Sequence, residues 1–243
     1  MNQNVFTRSK LVGTMSMRTF GELWRSTILT KWVMAITGVL IVLFLLGHLS
    51  GNLLVFVGEE AMNEYGVWLR SLGHGTLLWV VRLGLVAIFV LHIVSAIRLS
   101  AKNRAARPVS YARTESRKST VASRTMLLSG LLILAYGVYH LAHFTWGLTN
   151  PDFYNQTDAL GRHDVYHMVI ASFREPLIVV TYLLAMVLTG LHLNHAISSA
   201  MQTLGVSHPK YVTIIRRLGV GLSIAIAVGF SSVPLGVVAG IVK

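Results

Sequence analysis

Five long apolar runs, separated by shorter polar stretches, set the pattern of this chain. They cover about Trp32–Val57, Thr76–Leu99, Thr125–Leu148, Pro176–Ser198 and Val212–Val242. A helix needs roughly 20 mainly apolar residues to cross the hydrocarbon core of a bilayer. Each run reaches that length, so the pattern predicts an all-α integral membrane bundle of five transmembrane helices.

The composition agrees with lipid as the solvent of this chain. Of its 243 residues, 53% are hydrophobic and 12% are charged, and the mean hydropathy is +0.62. Soluble domains carry roughly 25% charged residues. The absence of cysteine excludes disulfides, thiolate catalysis and iron–sulfur ligation by this chain. Any metal must therefore be held by histidine or carboxylate groups.

The charged loops predict the orientation of the helices. The net charge is +12. Sixteen lysines and arginines lie before the first run, between the second and third, between the fourth and fifth, or at the ends of the runs that border these segments, whereas four lie on the alternate side. The positive-inside rule then puts the N-terminus in the cytoplasm and the C-terminus outside. We expect a cytoplasmic segment over residues 1–31, a membrane domain over residues 32–243, and a place in the cell inner (cytoplasmic) membrane.

Histidines in four of the five runs are the candidate functional residues, because polar side chains inside a membrane are costly. At 1.5 Å per residue, His48 and His140 lie roughly 24 and 22 Å from the inner edge. His92 and His192 lie roughly 24 Å from the outer edge by the same measure. The four residues therefore form two pairs, one in each leaflet.

Two histidines at one depth on facing helices are what a haem iron with two axial imidazoles requires. The pattern predicts His48 and His140 as ligands of an outer haem, and His92 and His192 as ligands of an inner one. The irons would lie very roughly 15 Å apart, given the helical rise.

Two further histidines leave the ligand choice open. His143 and His195 each lie three residues beyond a candidate, on a similar helix face. Either residue is an alternative ligand, a partner of a haem propionate or a packed polar side chain, and we prefer His140 and His192. Hydrogen bonding between helices is the simpler interpretation of any single membrane histidine. We expect His74, His163, His167 and His208 to be mostly solvated in loops.

Four segments resemble a known family in the same order. They are Phe44–Gly58 (FLLGHLSGNLLVFVG), Val90–Asn103 (VLHIVSAIRLSAKN), Tyr136–Gly147 (YGVYHLAHFTWG) and Gly190–Gly205 (GLHLNHAISSAMQTLG). They are similar to the first four helices of the cytochrome b membrane-anchor subunit of succinate dehydrogenases and fumarate reductases. The likeness is to the single-chain, five-helix, dihaem type.

The resemblance implies a haem b-containing anchor subunit of a succinate:quinone oxidoreductase. The axial histidines of that family fall on His48, His92, His140 and His192. The implied partners are a flavoprotein subunit with FAD and an iron–sulfur subunit, both on the cytoplasmic face. Succinate chemistry belongs to those partners, and electrons reach menaquinone or another quinone through the two haems.

The first outer loop departs from the family pattern. Some relatives have a carboxylate near its end, where this chain has Arg70. The other candidates for the quinone site are Glu59, Glu60, Glu64 and His74. Arg82, inside the second run, either neutralises a haem propionate or extends its charge to the membrane surface.

Two other functions stay open from the sequence. The first is a dihaem cytochrome b anchor of another respiratory dehydrogenase or reductase complex. The second is a proton-coupled transporter that uses its membrane histidines, although such proteins often contain inverted repeats and none is convincing here.

Overall fold

A computed structural model describes residues 26–106, 125–206 and 208–243 of the chain. The first part contains α1 (Thr27–Asn52), a 3-10 turn (Leu53–Phe56), α2 (Glu59–Ser71), a second 3-10 turn (Leu72–Gly75) and α3 (Thr76–Ala105). The remainder contains α4 (Met126–Phe144), α5 (Pro151–Tyr154), α6 (Val165–Phe173), α7 (Pro176–Thr203) and α8 (Pro209–Val238). Within these ranges the regular elements are all helices.

Five of these helices, α1, α3, α4, α7 and α8, are long and apolar enough to cross a membrane. The prediction of an all-α chain with five spanning helices is confirmed in this respect, and the chain has the character of a multi-pass membrane protein. The side of the membrane on which each terminus lies stays a prediction. The N-terminal segment and most of the basic connection between α3 and α4 lie outside the described residues.

The helix ends differ from the apolar runs by several residues. α1 begins at Thr27, because Ser26 caps it by accepting a hydrogen bond from the backbone N–H of Leu29. α4 ends at Phe144, before Gly147 adopts a left-handed φ of 64°. α3 and α7 continue past their predicted ends to Ala105 and Thr203, since polar residues extend a helix beyond the apolar stretch.

Among the spanning helices, α1 pairs with α3 and α7 pairs with α8, while α4 lies at the edge of the bundle against α7. α1 packs along α3 and also contacts α7, which in turn packs against α4. α8 lies along α7, with the longest contact in the bundle. α3 and α4 touch only slightly, so the histidine-bearing helices are not closed into a tight four-helix core.

The short elements cover one end of the bundle, which we call the loop end. The buried apolar cluster of the described residues lies there and includes Val55, Met62, Ile170 and Phe173. α2 approaches α1 at Gly51, where an added Cβ would lie 2.6 Å from the Tyr65 ring. The bundle is therefore best packed at this end.

A polar network ties the connections together at the loop end. Asn63 is fully buried; its side-chain N–H donates to Asp164, and its oxygen accepts from the backbone N–H of Tyr166. Arg162 donates two hydrogen bonds of 2.8 Å to Glu60 and one of 2.6 Å to Asp158. These bonds fix α2 against α6 and the loop before it.

Candidate functional site

The four predicted histidines lie at matched positions in four helices. His48 and His140 are each four residues before the last residue of α1 and α4. His92 and His192 are each sixteen residues after the first residue of α3 and α7. We call His48 and His140 the first pair, near the loop end, and His92 and His192 the second pair, nearer the opposite end.

The first pair is brought into direct contact. The ring centres of His48 and His140 lie 5.8 Å apart, with their planes at 80°. Phe44 stacks on His48 at 5.4 Å, and Phe230 of α8 lies 5.6 Å from it. Metal–imidazole bonds are roughly 2 Å long, so two rings on opposite sides of one metal ion have their centres roughly 6 Å apart. The spacing of the first pair fits a shared metal.

The tautomer of His92 is fixed by oxygen atoms of α1. Its Nδ1 lies 3.1 Å from the carbonyl oxygen of Met34 and 3.1 Å from the hydroxyl of Thr37. A carbonyl only accepts, so Nδ1 carries the proton and Nε2 keeps its lone pair. Metal-binding histidines are usually oriented in this way by a carbonyl or carboxylate.

His192 is held in the same manner by α4. Its Nδ1 lies 3.0 Å from the hydroxyl of Ser129, which donates its own proton to the carbonyl of Met126. The hydroxyl must then accept from His192, so Nε2 of this ring is also left as an acceptor. His92 and His192 are close enough for a charge on one imidazole to affect the other.

Glycines allow the second pair to approach its neighbouring helices. A Cβ on Gly38 would lie 3.2 Å from Cε1 of His92, and one on Gly130 would lie 3.4 Å from Cε1 of His192. Sequence analysis did not identify these glycines or the adjacent Thr37 and Ser129. A signal was available, because a Thr-Gly or Ser-Gly pair precedes His48 and His140 at the same spacing.

The two alternative histidines occupy different surroundings. His143 is fully buried, its Nδ1 lies 2.9 Å from the hydroxyl of Tyr182, and its Nε2 has no hydrogen-bond partner. The same hydroxyl lies 3.3 Å from Nδ1 of His140. His195 is partly buried and within electrostatic interaction distance of His192. The geometry favours His140 over His143 as the partner of His48.

These observations fit a haem held by two histidines at each pair. The donors are imidazoles in an apolar bundle, three of the four Nδ1 atoms have a side-chain or carbonyl oxygen partner, and His48 has only 3.4 Å contacts from Asn52 to its ring. All four residues are partly exposed.

A cavity of about 600 Å³ opens at the loop end, lined by Val67, Arg70, Ser71, Tyr154 and His163. Of the predicted quinone-site residues, only Arg70 lines it. Burial lowers the pKa of His163, the charge of Arg70 lowers it further, and Asp164 opposes the shift. The rings of His163 and Tyr154 lie 5.0 Å apart. The sequence did not predict these two residues, because it does not reveal that the segment after α4 meets α2.

The other predicted quinone-site residues lie outside this cavity. Glu59, Glu60, Glu64 and His74 are exposed. Glu60 pairs with Arg162, and His74 forms part of a left-handed corner, with φ 54°. Glu59 lies near Asp164 and His167, with ligand atoms within 4.8 Å of one another. Both Asp164 oxygens there already accept hydrogen bonds from Asn63 and His167, and the residue caps α6.

Arg82 lies on the exposed surface of α3. Its guanidinium lies 5.2 Å from the centre of the Trp79 ring, and its side chain is exposed. This cation–π contact is compatible with an arginine at a membrane interface. Both roles of Arg82 stay predictions.

Comparison of the chain with models of known protein families, with curated proteins and with solved structures finds no match.

Proposed function

We propose that this chain is the haem b-containing membrane anchor subunit of a succinate:quinone oxidoreductase. The observation that carries the proposal is the arrangement of four histidines as two pairs at two levels of the bundle. His92 and His192 keep Nε2 free because their Nδ1 protons are held by neighbouring oxygens. The resemblance of four segments, in order, to the dihaem anchor family supports the same function.

In this proposal the residues of the chain would bind the haems, orient the ligand imidazoles and keep water away from them. His48 and His140 would hold the haem near the loop end, and His92 and His192 would hold the second. When bound, the two haems supply one-electron carriers at two depths of the membrane. The apolar faces of the helices keep water from the ligands, while Met34 and Ser129 orient the second-pair imidazoles by accepting from their Nδ1 atoms.

The loop-end cavity is the proposed quinone site. Arg70 can donate a hydrogen bond to a quinone carbonyl oxygen, and His163, kept neutral by its lowered pKa, lies beside it. Arg70 therefore keeps its predicted place in the proposal, while His163 and Tyr154 replace the exposed carboxylates. Menaquinone or another quinone would be the electron acceptor.

Partner subunits would supply the rest of the enzyme. A flavoprotein with FAD would oxidise succinate, and an iron–sulfur subunit would pass electrons to the anchor. We propose that both dock at the end of the bundle opposite the loop end, where the described residues Lys102, Arg104 and Lys210 lie. This docking requires the predicted orientation, in which that end of the bundle faces the cytoplasm. It also requires the predicted location of the chain in the cell inner membrane.

A reduced-minus-oxidised absorption spectrum of the purified protein tests the proposal. Two b-type haems per chain are expected, and His48→Ala or His140→Ala should remove one while sparing the other. His208→Ala, which alters a histidine between α7 and α8, is the matched control and should keep both. A wild-type chain without b-type haem, or with one haem per chain, overturns the proposal. Co-purification with a molybdenum subunit instead of a flavoprotein would favour another respiratory complex.

A further inference from the structure

The hydroxyl of Tyr182 lies between two histidines of the neighbouring helix. It is 3.3 Å from Nδ1 of His140 and 2.9 Å from Nδ1 of His143. The Tyr182 ring is buried, and it packs edge-on against Phe173 and Tyr136. The three polar groups therefore form a short chain, His140–Tyr182–His143, that is enclosed by aromatic rings.

The single proton of the hydroxyl makes this chain directional. In one order, His140 donates from Nδ1 to the hydroxyl oxygen, which donates to Nδ1 of His143. That order leaves Nε2 of His140 as an acceptor and puts a proton on Nε2 of His143. In the opposite order His140 carries its proton on Nε2 and cannot ligate a metal through that atom.

We propose that Tyr182 is a positioning residue that fixes His140 as an Nε2 ligand, and that His143 sets the direction of the hydroxyl by accepting its proton. The inference rests on the proposed function, because only ligation at His140 selects the first order. It assigns His143 a role other than ligation. It gives a role to a fully buried histidine beside the first pair.

Three of the four ligands then have different orienting groups. His92 donates to a main-chain carbonyl and His192 to a serine hydroxyl, whereas His140 donates to a tyrosine that is itself held by a second imidazole. Accepting groups of this kind increase the basicity of a ligating imidazole. A more basic ligand favours the oxidised metal, so losing the Tyr182 hydroxyl should raise the potential of the first-pair haem.

The test compares Tyr182→Phe with wild-type holoprotein in detergent. We expect about 10–100-fold weaker haem retention at the first pair, a higher midpoint potential for that haem, and no change at the second pair. Tyr136→Phe is the matched control: this ring lies 5.9 Å from His140, and Tyr182 is the tyrosine whose hydroxyl contacts His140 in the described structure. It should behave as wild type.

His143→Phe tests the far end of the chain. It should shift the first-pair potential in the same direction but less, and the double variant should shift it no further than Tyr182→Phe alone. An unchanged potential in His143→Phe overturns the role of His143. Equal effects of Tyr182→Phe and Tyr136→Phe overturn the role of Tyr182.

A second measurement uses only the wild-type protein, so its result does not depend on whether a variant folds. Nitrogen-15 NMR of the wild-type holoprotein, labelled at histidine, should find His143 protonated at Nε2, and protonation at Nδ1 contradicts the proposed order. The two failures are distinguishable. A wild-type chain that binds no haem overturns both proposals, whereas a chain with two haems and the wrong His143 tautomer overturns only this one.

Discussion

At the scale of single residues, the choice of ligand depends on neighbours that the sequence does not reveal. Helical rise alone is enough to put His48 level with His140 and His92 level with His192. It cannot show that Ser129 faces His192, or that Tyr182 lies behind His140, because those contacts depend on how the helices are rotated against each other. The depths were therefore predictable, and the orienting groups were not.

Gly38 is predicted to be essential for the second pair. Gly38→Leu should push the His92 ring out of place, since even a Cβ would lie 3.2 Å from Cε1. We expect loss of the second-pair haem and retention of the first, measured as haem per chain by absorption spectroscopy. Gly84→Leu is the matched control, because no atom lies within 4 Å of the corresponding Cβ. Equal haem contents in the two variants would contradict the close approach.

The titration of His163 gives a second prediction at this scale. Its pKa is lowered by burial and by Arg70, so Arg70→Gln should raise it toward the ordinary value of about 6.5. A histidine with a lowered pKa stabilises the fold least at low pH: its contribution is intact above about 6.5 and declines as the pH falls below that value. Histidine NMR titration measures the shift.

The control for this titration is Arg82→Gln, which removes an arginine whose charge is not among the causes of the lowered His163 pKa. That variant should leave the titration curve in place. A pKa of His163 that stays the same or falls in Arg70→Gln would show that the cavity is arranged differently.

At the scale of elements, apolar runs predicted the five spanning helices but not the short helices of the loop end. α2 and α6 are held together by buried polar contacts, such as those of Asn63 in α2 with Asp164 and Tyr166 at the start of α6. No periodicity in the sequence signals a contact between residues a hundred positions apart. The loop-end cavity was missed for the same reason, since its walls come from α2, α5 and the loop before α6.

Asn63 is predicted to fasten α2 to α6. Asn63→Ala removes hydrogen bonds to two carboxylates and one backbone N–H, which should cost about 2 kcal/mol of local stability. Amide exchange in α6 should become roughly 30-fold faster, since 1.4 kcal/mol corresponds to a factor of ten. Hydrogen-exchange mass spectrometry of the protein in nanodiscs measures this.

The matched control is Glu64→Ala on the same helix, where the side chain is exposed. It should leave exchange in α6 unchanged. Protection that is equal in both variants would mean that the apolar cluster alone holds the loop end.

At the scale of the whole molecule, orientation is the property on which the proposed complex depends. Loop charge predicts that the loop end faces outward and that the end of α3 faces the cytoplasm. The chain has no cysteine, so an introduced cysteine is its only thiol. Leu160→Cys, at a side chain that is 70% exposed, should react with a membrane-impermeant maleimide on intact cells.

Ala105→Cys, at the last residue of α3, is the counterpart and should react only after the cells are permeabilised. Labelling in the reverse order would show that the bundle has the opposite orientation in the membrane. It would also move the proposed docking face for the flavoprotein and iron–sulfur subunits to the wrong side of the membrane.

The matched positions of the four histidines make each pair depend on both halves of the bundle. Each half of the chain, α1 with α3 and α4 with α7, contributes one histidine at the same helical position to each pair. Neither half contains a complete pair. A change that separates the two halves, which meet where α1 contacts α7, would therefore break both pairs at once.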